Sequence, residues 1–253
     1  MKNKSLFTLI IPIHILSLST IWLSEFSWVN LLYLFLGYVV ISGLGVGVGL
    51  HRWASHRSVK LNTIAKPVVI YASIMSCQGH PYWWAAVHQS LHHRYTDTEK
   101  DIHSPVNGKW NSFIGWLFNH DTGTLNYRHV LHLTSEPLLN FSQKYYLHII
   151  WGSWLLFGLV NLDVLLWAII IPTAIALHLE GLINTFCHGN YGYRNFETND
   201  QSCNVPILGW LVWGNGWHNN HHARPGHFDF GKTVSGKNEF DPTTLFLPLI
   251  KQY

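Results

Sequence analysis

Nine histidines fall in four short runs, and any fold open to this chain has to bring those runs together or leave imidazoles stranded. The runs are HRWASH (His51, His56), HQSLHH (His88, His92, His93), NTFCH (His188) and HNNHH (His218, His221, His222). Neutral imidazole is the commonest protein ligand for metals and suits iron, copper and zinc. A soluble core has no need of histidines repeated at this spacing. Nine donors are too many for one ion and enough for two. Three of the runs also sit just outside apolar segments, which points to a membrane protein with paired metal positions.

Four segments are apolar enough to be read as transmembrane helices, roughly 6–23, 29–50, 146–161 and 163–183, against a need for about 20 apolar residues. The first is read as a membrane helix rather than a cleaved signal, because no small-residue cleavage site precedes a soluble domain. The stretch 67–79 is too short to span and reads as a helix packed at the interface. Every Lys and Arg lies in 1–4, 52–66, 94–144 or 194–251, and the turns SEFSW (24–28) and VNLD (160–163) have none. By the positive-inside rule those turns face outward, and both termini and all four histidine runs are cytoplasmic. The expected fold is all-α: one domain over 1–253, with two transmembrane hairpins and a cytosolic helical cap built from 51–145 and 184–253.

Composition narrows the function classes. Charged residues are 11% of the chain, less than half the usual share of about 25%. A net charge of +3 and the absence of a Lys/Arg tract give no reason to expect nucleic acid as a partner. The three cysteines form no CxxC pair, and Cys187, although inside NTFCH, reads as a small buried residue rather than a ligand.

Helical spacing separates the runs. His218, His221 and His222 lie at i, i+3 and i+4 and face one way, as do Asn184 and His188 at i, i+4. His51 and His56 are about 140° apart on an α-helix at 100° per residue, so the membrane helix is expected to end between them. His88, His92 and His93 span a similarly wide arc. Either His88 reaches the metal through a local π-bulge or Gln89 takes its place; imidazole is the better ligand, which favours His88. Asp97 and Asp101 in RYTDTEKD are candidates to orient ligand histidines, and solvated or capping carboxylates would look the same. Trp84 and Trp217 abut the boxes and, with Trp83 and Trp116, are candidates for an apolar tunnel. Arg94, Lys100 and His103 are candidates to meet an anionic head group.

These boxes resemble those of the membrane fatty-acid desaturases, most closely the Δ9, stearoyl-CoA-desaturase-like branch. GVGVGLHRWASHRS, HHRYTDTEKDIHSP, FIGWLF, SEPLLNFSQKYY and NGWHNNHHARP followed by EFDPT extend the likeness over most of 39–245. The resemblance implies two Fe2+ ions held by the nine histidines, with Asn184 contacting one through water. It implies O2 as co-substrate and removal of hydrogen from two adjacent methylenes of a saturated acyl chain on CoA or lipid. The sequence has no HPGG motif of a fused cytochrome b5, so the implied electron donor is a separate protein such as cytochrome b5, ferredoxin or rubredoxin. No catalytic residue beyond the metal ligands is implied. The chain departs from the branch in its HxxxHH middle box, where many members have HxxHH, and in Asn215, where many have Glu. A related di-iron hydroxylase or ketolase is the alternative within enzymes, and a non-catalytic metal- or haem-binding membrane protein the alternative outside them.

Overall fold

The structure, a computed structural model, describes residues 4–119, 125–233, 236 and 238–252. Lys2 and Lys237, both in the cation-bearing segments, lie outside them. The fold is helical: the described residues contain only isolated β-bridges, among them His188–Ser202 and Asn204–Trp217.

Helix α1 is Lys4–Leu23. Helix α2 runs Trp28–Ser55; Ser27 caps it by accepting from the Asn30 N–H at 3.1 Å, and from Val39 onward its hydrogen bonding is π. Helix α3 is Ala65–Met75. Helix α4 is built from Pro81–Val87, a π turn His88–His92 and a last turn His93–Tyr95. Helix α5 joins a π turn, Asn111–Gly115, to Trp116–Asn119. Then follow α6 (Pro137–Lys144), α7 (Tyr146–Val160), α8 (Val164–Phe186), α9 (Pro206–Leu211) and α10 (His218–Ala223).

Two helices, α2 and α8, are long and apolar enough to cross a membrane. The other two expected spans are shorter apolar helices, Thr8–Leu23 and Tyr146–Val160. Helix α7, with 15 residues, rises about 22 Å at 1.5 Å per residue, short of a hydrocarbon core of about 30 Å. The interruption at Tyr145, between α6 and α7, sets that limit.

The turns at 24–28 and 160–163 meet. Ser24 Oγ donates to Asp163 Oδ1 at 2.5 Å and accepts from the Trp167 indole N–H at 2.8 Å. The long helices α2 and α8 therefore start at one end of the bundle and finish together at the other, where His51, His56 and His188 lie. Helix α3 lies along the π segment of α2, burying Val69, Ile70, Ile74 and Met75. That approach needs glycine: a Cβ on Gly45 would meet the Ala72 backbone, and one on Gly49 the Ser73 hydroxyl, so the GVGVG run lets two backbones touch. Ser73 Oγ completes the contact by donating to Gly45 O at 2.9 Å.

Candidate metal centre

The nine histidines converge as two neighbouring groups. His51, His56, His88, His93 and His221 form one; His92, His188, His218 and His222 form the other, and in each group one ring nitrogen per residue lies within 4.8 Å of all the others. The closest approaches are between Nε2 atoms: His56–His88 at 2.8 Å, His88–His93 at 3.0 Å, His51–His221 at 3.0 Å and His93–His221 at 3.1 Å in the first group. In the second they are His188–His218 at 2.9 Å, His218–His222 at 3.1 Å and His92–His222 at 3.2 Å.

Backbone geometry explains how the boxes split. In HNNHH the first and last histidines, His218 and His222, are one α-turn apart and serve the second group, while His221 between them serves the first. HQSLHH divides the same way, with His88 and His93 in the first group and His92 in the second. There the first and last histidines are five residues apart, and the π turn His88–His92 brings them to one face through the His93 N–H bonded to His88 O. The same device corrects the expectation for HRWASH. The helix does not end between His51 and His56; it continues to Ser55 as a π-helix, with the His56 N–H donating to His51 O at 3.1 Å, so residues five apart stack. Gln89 sits outside both groups. Its Nε2 donates to Ser55 O at 2.9 Å and lies 3.1 Å from His56 Nδ1, steadying the end of α2.

Outer partners hold the rings. Asp101 Oδ2 accepts from His92 Nδ1 at 2.9 Å, Asp200 Oδ2 accepts from His222 Nδ1 at 2.9 Å, and Asp97 Oδ1 lies 3.1 Å from His188 Nδ1. The Asn215 backbone carbonyl accepts from His218 Nδ1 at 3.1 Å, and its side-chain Oδ1 accepts from His51 Nδ1 at 3.0 Å. One asparagine thus orients a ring in each group. Asp101 Oδ1 is also 3.2 Å from His103 Nδ1, so this carboxylate is shared between two rings. Burial raises Asp101 and Asp200, but their histidine partners outweigh it and hold both carboxyls below the usual range; Asp200 has further help from Ser202 and Thr198.

These contacts make a fit test for metal. A ring whose Nδ1–H is given to a carboxylate or carbonyl carries a bare lone pair on Nε2. Among His92, His218 and His222 such lone pairs point at one another at 3.1–3.2 Å with no proton to share. A cation between them removes the repulsion. Metal–imidazole bonds of about 2.1 Å meeting at right angles give N–N edges of about 3.0 Å, which matches the observed spacing. Burial, reinforced by neighbouring rings, pushes His88, His93, His218 and His221 well below their ordinary value, and His56 to about 3, so the rings remain neutral and free to ligate. The donor set fits two transition-metal ions.

Both groups face one cavity of about 70 Å³, lined among others by His51, His88, His92, His218, Trp83, Trp84, Trp116 and Asn184. Trp84 stacks on His88 with ring centroids 4.7 Å apart, and Trp83 stacks on Trp116 at 6.2 Å and 4°. His103 lines the cavity too, against Trp116. Trp217 and Arg94 do not line it. Trp217 is buried against Gly209 with its indole N–H on Phe240 O, and Arg94 is exposed over the Tyr95 ring. Lys100 also lies over Tyr95.

Glu180 and Asp200 were missed from sequence. Glu180 lines the cavity and accepts from Asn215 Nδ2 at 3.0 Å. A signal existed, since Glu180 and Asn184 follow at i, i+4 on one face of α8; His188, expected to share that face, lies beyond the helix end at Phe186, in a bridge to Ser202. Asp200 lies in an irregular loop with no periodicity to mark it.

A model of the fatty acid desaturase family matches residues 26–227. The chain is 33% identical to the sn-1 stearoyl-lipid 9-desaturase of Anabaena variabilis over 83% of its own length and 78% of that protein. It is 37% identical to Delta-9 acyl-lipid desaturase 1 of Arabidopsis thaliana, covering 79% of this chain and 66% of that one. It is 33% identical to the acyl-CoA C20 Delta5-desaturase of Anemone leveillei, covering 79% of this chain and 65% of that one. The chain thus spans somewhat less than two thirds to about four fifths of these relatives' lengths. Fold, paired histidine groups and these matches agree: this chain belongs to the fatty acid desaturase family, a class of oxidoreductases that act on lipid acyl chains.

Proposed function

We propose that this protein is an O2-dependent acyl desaturase that introduces a cis double bond, at Δ9, into a saturated chain carried on CoA or lipid. The observation that carries this reading is the placement of two histidine groups side by side on the wall of an aromatic-lined cavity. Two ferrous ions, when bound, supply the reduction of O2 and the oxidising power to break two unactivated C–H bonds. The balance is one acyl chain, O2, two electrons and two protons giving one alkene and two waters, with the electrons from a separate donor such as cytochrome b5, ferredoxin or rubredoxin.

The protein's own part is position and exclusion. Successive methylenes are chemically almost identical, so the site of the double bond is set by where the chain is held. His51, His56, His88, His93 and His221 would hold one ion, and His92, His188, His218 and His222 the other, with Asn184 reaching the second through water. Trp84, stacked on His88, is placed to press the acyl chain toward the ions. Trp83, Trp116 and His103 close the cavity and keep bulk water away. The named relatives include both a 9-desaturase and a Delta5-desaturase at the same identity, so the choice of Δ9 rests on the resemblance of the sequence motifs to the Δ9 branch. We further propose four membrane crossings, by α1, α2, α7 and α8, with the metal centre and both termini in the cytoplasm. Helix α7, the shortest of the four, crosses by thinning the bilayer locally.

The test is expression in a host lacking its own desaturase, with an electron-donor system supplied, beside a His221→Ala control. Products are read by gas chromatography and mass spectrometry with the double bond located by derivatisation. A new cis-monoene absent from the control supports the reading and gives its position. A hydroxy or keto product replaces it with the sister chemistry, and metal-loaded protein that yields no product refutes catalysis.

A further inference from the structure

The two metal positions differ in what stands behind their ligands. Of the four histidines in the second group, three have a carboxylate within ion-pair distance of Nδ1, at 2.9–3.1 Å: His92 and His222 are hydrogen-bonded to Asp101 and Asp200, and His188 lies beside Asp97 without hydrogen-bond geometry. All three pairs are close to dry, with side-chain exposures of 3% or less on the histidines and 1%, 8% and 15% on the aspartates. The first group has no such support. Among the described residues no carboxylate lies within ion-pair distance of His51, His56, His88, His93 or His221. The Nδ1 partners there are amides, Asn215 for His51 and Gln89 for His56, and His221 Nδ1 is buried with no partner. Glu180 stands one residue further back, accepting from Asn215 Nδ2 at 3.0 Å, and Arg52 and Asp241 neutralise each other at 2.8 Å.

The consequence is electrostatic. A divalent ion in a buried site is stabilised by anions near it, and three carboxylates lie one imidazole away from the second position alone. A carboxylate on Nδ1–H also makes the opposite nitrogen a stronger donor and fixes its direction. The first position has one more imidazole, but none of its rings has a carboxylate behind it, and one of them, His221, has no hydrogen-bond partner on Nδ1. An extra neutral ligand does not offset three carboxylates set directly behind the rings of the other ion.

We infer that the two positions are unequal in affinity: the four-histidine position, backed by Asp97, Asp101 and Asp200, fills first and holds its ion more tightly than the five-histidine position. This rests on the dimetal reading above. It makes Asp200, in a loop far from every histidine box, a positioning residue for one ion rather than for the centre as a whole.

The test is titration of the metal-free full chain in detergent with Co2+. Bound metal is read by equilibrium dialysis and by the visible absorption of the ion, and neither readout depends on turnover. Two separated steps are expected in the wild type. Asp200→Asn and, independently, Asp101→Asn should weaken the first step by about 10–100-fold each and leave the second in place. Asn is isosteric and still accepts from Nδ1, so the folded shape is kept; size-exclusion elution checks it for both variants. His56→Ala should abolish the second step and spare the first. Two ions bound with equal affinity overturn the inference while leaving the dimetal reading intact, as does loss of the tighter step in His56→Ala. Binding of fewer than two ions by the wild type overturns both.

Discussion

Asp241→Asn isolates the charge of the most deeply buried ion pair among the described residues. Arg52 Nη2 and Asp241 Oδ2 are 2.8 Å apart and both side chains are 0% exposed. The guanidinium also donates to Phe228 O and Gly47 O at 2.8 Å each and to Asn215 Oδ1 at 3.2 Å, with Phe230 against its face at 3.8 Å. Asp241 in turn accepts from the Phe230 and Thr243 N–H groups at 2.8 and 2.9 Å. The pair therefore ties the segment after α10 to the end of α2, next to His51. Asparagine keeps the shape and leaves an uncompensated cation in a dry site. Removing one partner of such a pair costs about 3–5 kcal/mol. At about 2–4 °C per kcal/mol for a chain of this size, the unfolding midpoint should fall by about 6–20 °C. The assay is thermal unfolding of the detergent-solubilised protein, with bound metal measured alongside. The double variant Arg52→Met, Asp241→Leu removes both charges and should recover much of the loss, because a buried pair replaced by apolar side chains is often neutral. A midpoint for Asp241→Asn within about 2 °C of wild type, or a double variant less stable than either single one, would refute the reasoning.

Two further outcomes are expected. Gln89→Ala should free His56 and lower affinity for one of the two ions by about 10–100-fold, with membrane insertion unchanged; metal content at limiting supply measures it, and full occupancy of both positions would remove Gln89 from the site. Acid should destabilise the metal-free protein early. Burial pushes His56 and His80 down to about 3 and His222 to about 4 from 6.5, so the unfolded chain binds protons first and stability is lost as pH falls from 6.5 toward 4. The depressed carboxyls of Asp101 and Asp200 act in the same direction but only below their unfolded value of 3.8. Unfolding midpoints of the metal-free chain that stay flat between about pH 7 and pH 5 would contradict this sign.

The parts of the site legible in sequence are those carried by local spacing. HNNHH reads correctly as one face of a helix because α10 is an ordinary α-turn, although its three rings divide between two groups. HRWASH misleads because the backbone there is π, so residues five apart share a face, where an α-helix would set them about 140° apart. The groups behind the rings were only half visible. Asp97 and Asp101 follow the middle box closely enough to be suspected, whereas Asp200 reaches His222, and Glu180 reaches Asn215, only through the tertiary fold. The same holds for span number: hydropathy marks apolar stretches, but the break at Tyr145 that shortens α7 is set by its junction with α6.

The π turn His88–His92 also says something about ancestry. A helix that gains one residue rotates everything beyond the insertion by about 100°, which would swing a downstream ligand off its ion. A single wide turn absorbs the extra residue locally, so both flanks stay in register. Histidine boxes of three and of two intervening residues can therefore interconvert by one codon without rebuilding the bundle around them.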